Sequence, residues 1–483
     1  MISKTANCTD RSTAAVVAVL ALETGECSLI FLGTLGDSTM TDSIDTKSVV
    51  VALATGSAIA LAAKQLLSLI GDDDNNVKVS SGVKKFPPTF GREMREQEFL
   101  LDGKAAFVNH CSCGTIPRRV MERQRWFEDE AESTPDYFYK HRTVGYYEDA
   151  LKTIGDFVGA DPKDLAFANN VTTAINGVLR SKKWKSGDTI LITNLTYPAV
   201  NLTCYDVCGD DLNGAKVALV KITFPIRNKE QVIDAYRAAL DANPGTKLAV
   251  IDHIVSYMTY VNPVKDLVEL CHSRGVEVVI DGAHAPGQLR LNVPDIGADY
   301  YAGNIYKWCL SGRCAFLWVD PKRQKDVRPV VTSNNYHKDW RQQFYYQGTR
   351  DYTVYLTAGD GLKFINDIGG LDALYGYITP LVDWAADTLT KAWNTERLQI
   401  PKDMHAPFMR IIGFPYTNRH PMTGDGSVAI MRDLWEKYKV QCLVNAEDGQ
   451  FWCRLTGHVY STKDDFYRLR DAVLDYVKTG REE

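Results

Sequence analysis

Residues 279–308 read VIDGAHAPGQLRLNVPDIGADYYAGNIYKW, and one acid and one lysine in this stretch decide how the chain is read. The run VEVVID at 276–281 is apolar and β-branched, which predicts a buried strand ending on Asp281. Small residues follow, and Lys307 comes 26 residues after the acid, in a turn rich in Gly and Asn. Alone, an acid at a strand end is usually a cap or an ion-pair member, and a lone lysine is usually solvated. The two together carry more weight than either.

Working outward, 189–193 (TILIT), 247–254 (KLAVIDHI) and 315–319 (AFLWV) also read as buried strands. Residues 232–242 and 264–273 read as amphipathic helices between them. Short apolar runs alternating with helices predict an α/β fold: a mostly parallel sheet covered by helices on both faces. Ligands of such sheets bind beyond the carboxyl ends of the strands, where Asp252, Asp281 and His284 fall. After about residue 360 the text changes to long helical stretches. Strand candidates follow at 440–444 and 450–455, and a closing helix at 463–477. This predicts a large domain over 86–360 and a smaller α+β C-terminal domain over 361–483.

Composition narrows the function classes. Hydrophobic residues make up 45% and charged residues 24% of 483, the balance of an ordinary soluble enzyme. A net charge of −5, with basic residues spread along the chain, gives no reason to expect nucleic acid. The eleven cysteines are scattered. Their closest pairs, Cys111/Cys113 and Cys204/Cys208, form neither a disulfide framework nor zinc spacing, so no metal is expected. A reducing compartment fits, the cytoplasm first.

Residues 1–85 differ from the rest, being rich in Ala, Val, Ser, Thr and Asp and almost empty of aromatics. Within them 48–70 (SVVVALATGSAIALAAKQLLSLI) is 23 residues long, enough to cross a bilayer as a helix. Lys64 interrupts it, at a cost of about 3 kcal/mol on insertion scales. Two readings stay open here, a single-pass membrane anchor and an amphipathic or disordered extension. Asp10, Glu23 and Glu26 argue against a mitochondrial presequence.

The acid and the lysine suit pyridoxal phosphate. A carboxylate against the pyridine nitrogen keeps it protonated, and the protonated ring is the sink for charge developing at Cα. A lysine binds the cofactor covalently and later moves the proton.

From residue 86 to the C-terminus the chain also resembles the isopenicillin N epimerase-like branch of the class V aminotransferases, a fold type I pyridoxal-phosphate family. The resemblance rests on FVNHCSCGTIP (107–117), NNVTTAIN (169–176), IDHIVS (251–256), DGAHAPG (281–287), GADYYAGNIYKW (297–308), QGTRD (347–351) and CRLTGHVYST (453–462), in that order. It implies that Lys307 holds the cofactor and shuttles the proton, Asp281 pairs with the ring nitrogen, and His284 approaches the phenolic oxygen. Thr172, with backbone amides from Val171 onward at its helix start, would hold the phosphate. Asn304 and Tyr306 flank the lysine at positions that often contact phosphate, and Tyr197 would stack on the ring. Thr349 would reach the phosphate of a neighbouring subunit, implying a homodimer. Arg454 would clamp a substrate carboxylate. Asn109 and His110 would line the substrate side or serve the turn. Asp252, His253 and Ser256 would lie next to the cofactor, in a supporting or substrate-facing role. Tyr306 stands where many relatives have His, and the loop after the lysine is one residue shorter, with Arg313 standing in for its lysine.

The reaction stays open among three readings on a small amino acid. Elimination at a C–S bond, of the cysteine desulfhydrase or cysteine-conjugate and sulfoxide lyase type, comes first. Epimerisation at Cα comes beside it and needs a second acid/base, with Tyr137, Tyr139 or His110 as candidates. Desulfuration ranks behind both, because Cys442 and Cys453 sit in apparent strands where a thiol is inert. Outside enzymes, the alternative is an inactive membrane-tethered or scaffolding homologue, against which the joint presence of Lys307 and Asp281 argues.

Overall fold

Residues 87–209 and 214–479 are described by the structure, a computed structural model, together with three earlier strands. Those strands, Ala15–Ala21, Cys27–Thr34 and Val51–Leu53, form an antiparallel sheet. They lie in the first of two compact units, Met1–Val83 and Lys84–Glu483. Of the candidate anchor at 48–70, Val51–Leu53 is therefore strand, and the remainder lies outside the described residues. Among the described residues no helix is long and apolar enough to cross a membrane.

The second unit is built on a seven-stranded sheet. Its strands are β1 Leu165–Ala168, β2 Thr189–Thr193, β3 Lys216–Val220, β4 Thr246–Asp252, β5 Glu277–Asp281, β6 Tyr300–Asn304 and β7 Ala315–Val319. In space they run β1-β7-β6-β5-β4-β2-β3, and β7 alone is antiparallel to its neighbours. Alternate residues of each strand feed two separate cores. Leu191, Ala249, Ile251, Val278 and Ile280 pack on one face. Ile190, Ile192, Leu248, Val250 and Val279 pack on the other. A strand apolar on both faces gives the continuous runs seen in the sequence, and each buried Ile, Leu or Val is worth about 1.5–3 kcal/mol.

Helices α1 Val171–Ser181 and α2 Pro198–Cys208 cover the second face. Helices α3 Lys229–Ala242 and α4 Val264–His272 cover the first. The strand expected at 247–254 stops at Asp252, whose successor His253 turns its amide onto the Asp281 carbonyl. Strand β6, YYAGN, carries too little β-branched character to stand out in the sequence, yet every one of its residues is buried.

The C-terminal part adds an antiparallel sheet of β8 Met409–Gly413, β9 Leu443–Glu447 and β10 Gln450–Thr456, with β10 in the middle. The single strand expected over 440–444 is broken at Cys442: Val440–Gln441 pairs instead with Ala106–Phe107. This exchange ties the segment carrying Asn109 and His110 to the strand carrying Arg454.

Candidate active site

Because β4, β5 and β6 are parallel, their last residues, Asp252, Asp281 and Asn304, reach the same edge of the sheet. Asp252 and Asp281 are direct register partners. Beyond this edge lies a cavity of about 180 Å³ lined by Asp252, Asp281, His284, Asn304, Tyr306 and Lys307. Its rim is completed by Asn170, Val171 and Thr172 at the start of α1, Tyr197 at the start of α2, and Ser112 and Ser256. A larger cavity of about 650 Å³, between Phe224 and the turn at Asp448 and Gly449, contains neither lysine nor histidine.

The turn bearing Lys307 is held from several sides. Gly114 has φ +66°, and a side chain there would stand 2.2 Å from the Tyr306 carbonyl oxygen. Gly287 has φ +80°, and its Cβ would meet the Trp308 carbonyl carbon at 2.6 Å. Only glycine meets both demands. The ring of His110 bonds the Lys307 carbonyl oxygen through Nε2 and Tyr460 Oη through Nδ1, at 2.6 Å. His110 is therefore behind the lysine and does not line the cavity. Tyr137 is 56% exposed and Tyr139 packs near Tyr352, so neither of these lines it either.

On the cavity side, Lys307 Nζ is 3.1 Å from His284 Nε2, which is also 3.2 Å from Ser256 Oγ. His284 Nδ1 has no partner. Asp281 Oδ1 accepts the Ala283 amide at 3.0 Å. At the other end, Asn304 Oδ1 accepts the Val171 amide at 3.0 Å, and Asn170 caps α1 by accepting from Thr173. Thr172 is thus presented at a helix N-terminus, where backbone amides and the helix dipole favour an anion. Thr349 is exposed and outside the cavity, and Arg313 is exposed as well.

Arg454, on β10, is 2% exposed. Its Nη1 donates to the Ser256 carbonyl at 2.7 Å, and its Nη2 to Asn109 Oδ1 and Ser112 Oγ at 3.0 and 2.8 Å. Its Nε has no partner, and among the described residues no carboxylate pairs with it. A buried cation without a counter-ion is costly unless a ligand supplies one. Asn109 thus enters the site as the support of Arg454. Ser112 was not singled out by sequence reasoning. A small residue inside the NHCSCG motif was its only signal, and only the fold brings it beside Arg454.

Dehydration governs the charges. Burial, reinforced by Lys307 and Arg454, holds His284 well below the usual imidazole range, so it is neutral. Burial, aided by Arg454 and opposed by Cys111 and Asp281, lowers Lys307 to about 8. Burial raises Asp281, against the Ala283 amide and Lys307. It raises Asp252 well above the carboxylate range, and the nearby Asp281 charge adds to this. Tyr306 is pushed up to about 12, chiefly by burial.

An amine near its titration point, a strand-end carboxyl and a helix start at the far end fit a pyridine ring bearing an aldehyde and a phosphate. His284, with an unpaired Nδ1, lines the same cavity. The fold and this arrangement are those of a fold type I pyridoxal-phosphate enzyme. The family model for "Aminotransferase class-V" matches residues 113–423, and the chain belongs to that family. It is similar to "Putative L-cysteine desulfhydrase 1" of Oryza sativa subsp. japonica, 30% identical over 410 residues, covering 78% of this chain and 84% of the relative. It is also similar to the "Isopenicillin N epimerase" of Streptomyces clavuligerus, 27% identical over 391 residues, covering 77% and 95%. Among solved structures, the cystine C–S lyase C-DES in complex with its product cysteine persulfide superposes with a TM-score of 0.64. At 17% identity it covers 77% of this chain and 98% of its own, which speaks to the fold.

Proposed function

We propose that this enzyme cleaves a C–S bond in cysteine or a cysteine derivative, using pyridoxal phosphate. The observation that carries the reading is the buried guanidinium of Arg454, without a counter-ion, bonded to the cavity-lining Ser112 and Ser256 and close enough to Lys307 to lower its amine. That pairing suits a substrate with a carboxylate to clamp and a Cα proton to remove. The bound cofactor supplies the electron sink for charge at Cα.

The protein residues supply the rest. Lys307 Nζ takes the Cα proton and can return it to the departing sulfur. Asp281 would meet the ring nitrogen, neutral His284 would approach the phenolic oxygen, and Tyr197 would stack on the ring. Thr172, Asn304 and Tyr306 would hold the phosphate, the Val171 amide being engaged by Asn304 Oδ1, and Ser256 orients both His284 and Arg454. A guanidinium for a carboxylate beside an amine for a Cα proton suits a small amino acid. The likeness to cysteine desulfhydrases supports a sulfur-bearing one.

Epimerisation is the second reading, supported by the likeness to isopenicillin N epimerase. It needs a second acid/base facing Lys307, and the three candidates for that role lie outside the cavity lining. We further infer a homodimer in which the exposed Thr349 of QGTRD reaches the phosphate site of the other subunit; light scattering of the purified protein tests it. An anchor in 48–70 is tested by carbonate extraction of full-length protein against a chain starting near residue 86.

The deciding experiment incubates the enzyme with cysteine, cysteine S-conjugates and their sulfoxides. Pyruvate and a sulfur product are expected. Exchange of the Cα hydrogen with D₂O and loss of optical purity, without pyruvate, would overturn the lyase reading in favour of epimerisation.

A further inference from the structure

Behind the cavity edge, Asp252 Oδ2 and Tyr236 Oη are buried without partners, and the Tyr260 hydroxyl lies against Asn262 beside them. They belong to one neighbourhood. Asp252 acts electrostatically on both tyrosines, and Asn262 Nδ2 donates to the Asp252 carbonyl at 2.8 Å. Asp252 also lines the cavity and is the register partner of Asp281.

The neighbouring strand offers Asp281, α3 offers Tyr236 with Cys271 of α4 beside it, and the following loop offers His253, Tyr260 and Asn262. His284 and Lys307 line the same cavity. Among the described residues no lysine or arginine pairs with Asp252. Asp281, by contrast, has the Ala283 amide and the field of Lys307. Two buried carboxylates side by side cannot both ionise cheaply, and Asp281 is the better anion.

We propose that Asp252 is a neutral carboxylic acid here and a positioning residue for Asp281, which alone presents negative charge to the cofactor's ring nitrogen. Kept uncharged beside the Tyr236 and Tyr260 hydroxyls, Asp252 holds the end of β4 against Asp281 without adding a second charge. The link to the ring rests on the cofactor reading above, while the protonation state does not.

Infrared difference spectra of the full-length protein, with and without added pyridoxal phosphate, compare wild type with Asp252→Asn at neutral pH. A protonated-carboxyl carbonyl band, shifted in D₂O, is expected in wild type in both states and absent from the variant. Identical spectra overturn the proposal. A band without cofactor uptake sinks the cofactor reading alone. Should Asp252→Asn not fold, Tyr260→Phe retains the acid: its band should move, and an unmoved band counts against the proposal.

Stability gives a second readout. The native protein keeps a proton that the unfolded chain releases above 3.8, so rising pH costs wild type stability that Asp252→Asn keeps. The Tm gap, variant minus wild type, should widen with pH, and a constant gap overturns the proposal. In the holoenzyme, Asp252→Leu should shift the pH at which the cofactor absorption titrates, and Asp252→Asn should restore it. Equal shifts in both would show that charge, not the neutral acid, matters.

Discussion

Lys307 Nζ and His284 Nε2 stand 3.1 Å apart, both buried, and neither ring nitrogen of His284 has a carboxylate partner. The two groups share one dehydrated space, where burial, with the Lys307 charge added, disfavours a proton on His284. Burial, with Arg454, also lowers the amine to about 8 and readies it as a base near neutral pH.

Lys307 sets the first prediction. Lys307→Ala should fold, lose covalent cofactor attachment to borohydride reduction, and lose turnover by roughly 10³-fold or more. Mass spectrometry of the reduced protein and a turnover assay check it. Normal conversion by the variant would remove the basis of the proposed function.

The depressed Lys307 value predicts a pH dependence. The rate at which cofactor-free protein captures pyridoxal phosphate requires the free amine. It should rise about tenfold per pH unit below about 8 and level off above. The sign for stability follows from the same shift. Between about 8 and the ordinary 10.5 the unfolded chain binds the proton and the native chain does not, so this group's contribution grows with pH. A capture rate still climbing steeply near pH 10 would mean that the amine is not depressed.

Arg454→Gln removes the buried guanidinium while leaving a polar group for Asn109 and Ser112. One charge-assisted pair is worth about 1.5–3 kcal/mol, so kcat/KM should fall roughly 10- to 100-fold. The loss should appear mainly in KM, with cofactor uptake preserved. Cofactor titration beside steady-state kinetics separates the two effects.

At the opposite end, Thr172→Ala withdraws one hydroxyl from the helix start. Cofactor affinity should weaken by about tenfold, the worth of one hydrogen bond to a charged group. Equilibrium dialysis measures it, and an unchanged dissociation constant would place the phosphate elsewhere.

Gly114→Ala tests the clamp on the lysine turn. Its Cβ would stand 2.2 Å from the Tyr306 carbonyl oxygen at φ +66°, so backbone must move. A stability loss of about 1–3 kcal/mol is expected, read from denaturant midpoints. Slower cofactor capture should accompany it, because the displaced backbone carries Lys307.

Much of this was legible in the sequence. Strands apolar on both faces produce unbroken runs such as TILIT and AFLWV, and helices between them leave a 3.6-residue period; both are local signals. The glycines of APG and CG and the acid ending VEVVID were visible for the same reason. Strand β6 was not, because its YYAGN gains its place from neighbours β5 and β7 rather than from intrinsic preference. Likewise the strand predicted over 440–444 divides because Val440–Gln441 finds a partner more than 300 residues away.

The sequence by itself determined the alternation of strand and helix, the acid and lysine, and the helix start that suits a phosphate, since each is written in neighbouring residues. Only the tertiary structure decided which groups meet. It turned His110 behind the lysine, set Ser112 and Asn109 on Arg454, and laid Asp252 beside Asp281. Those pairings join residues tens to hundreds of positions apart, and their energies come from shared burial, which no local pattern records.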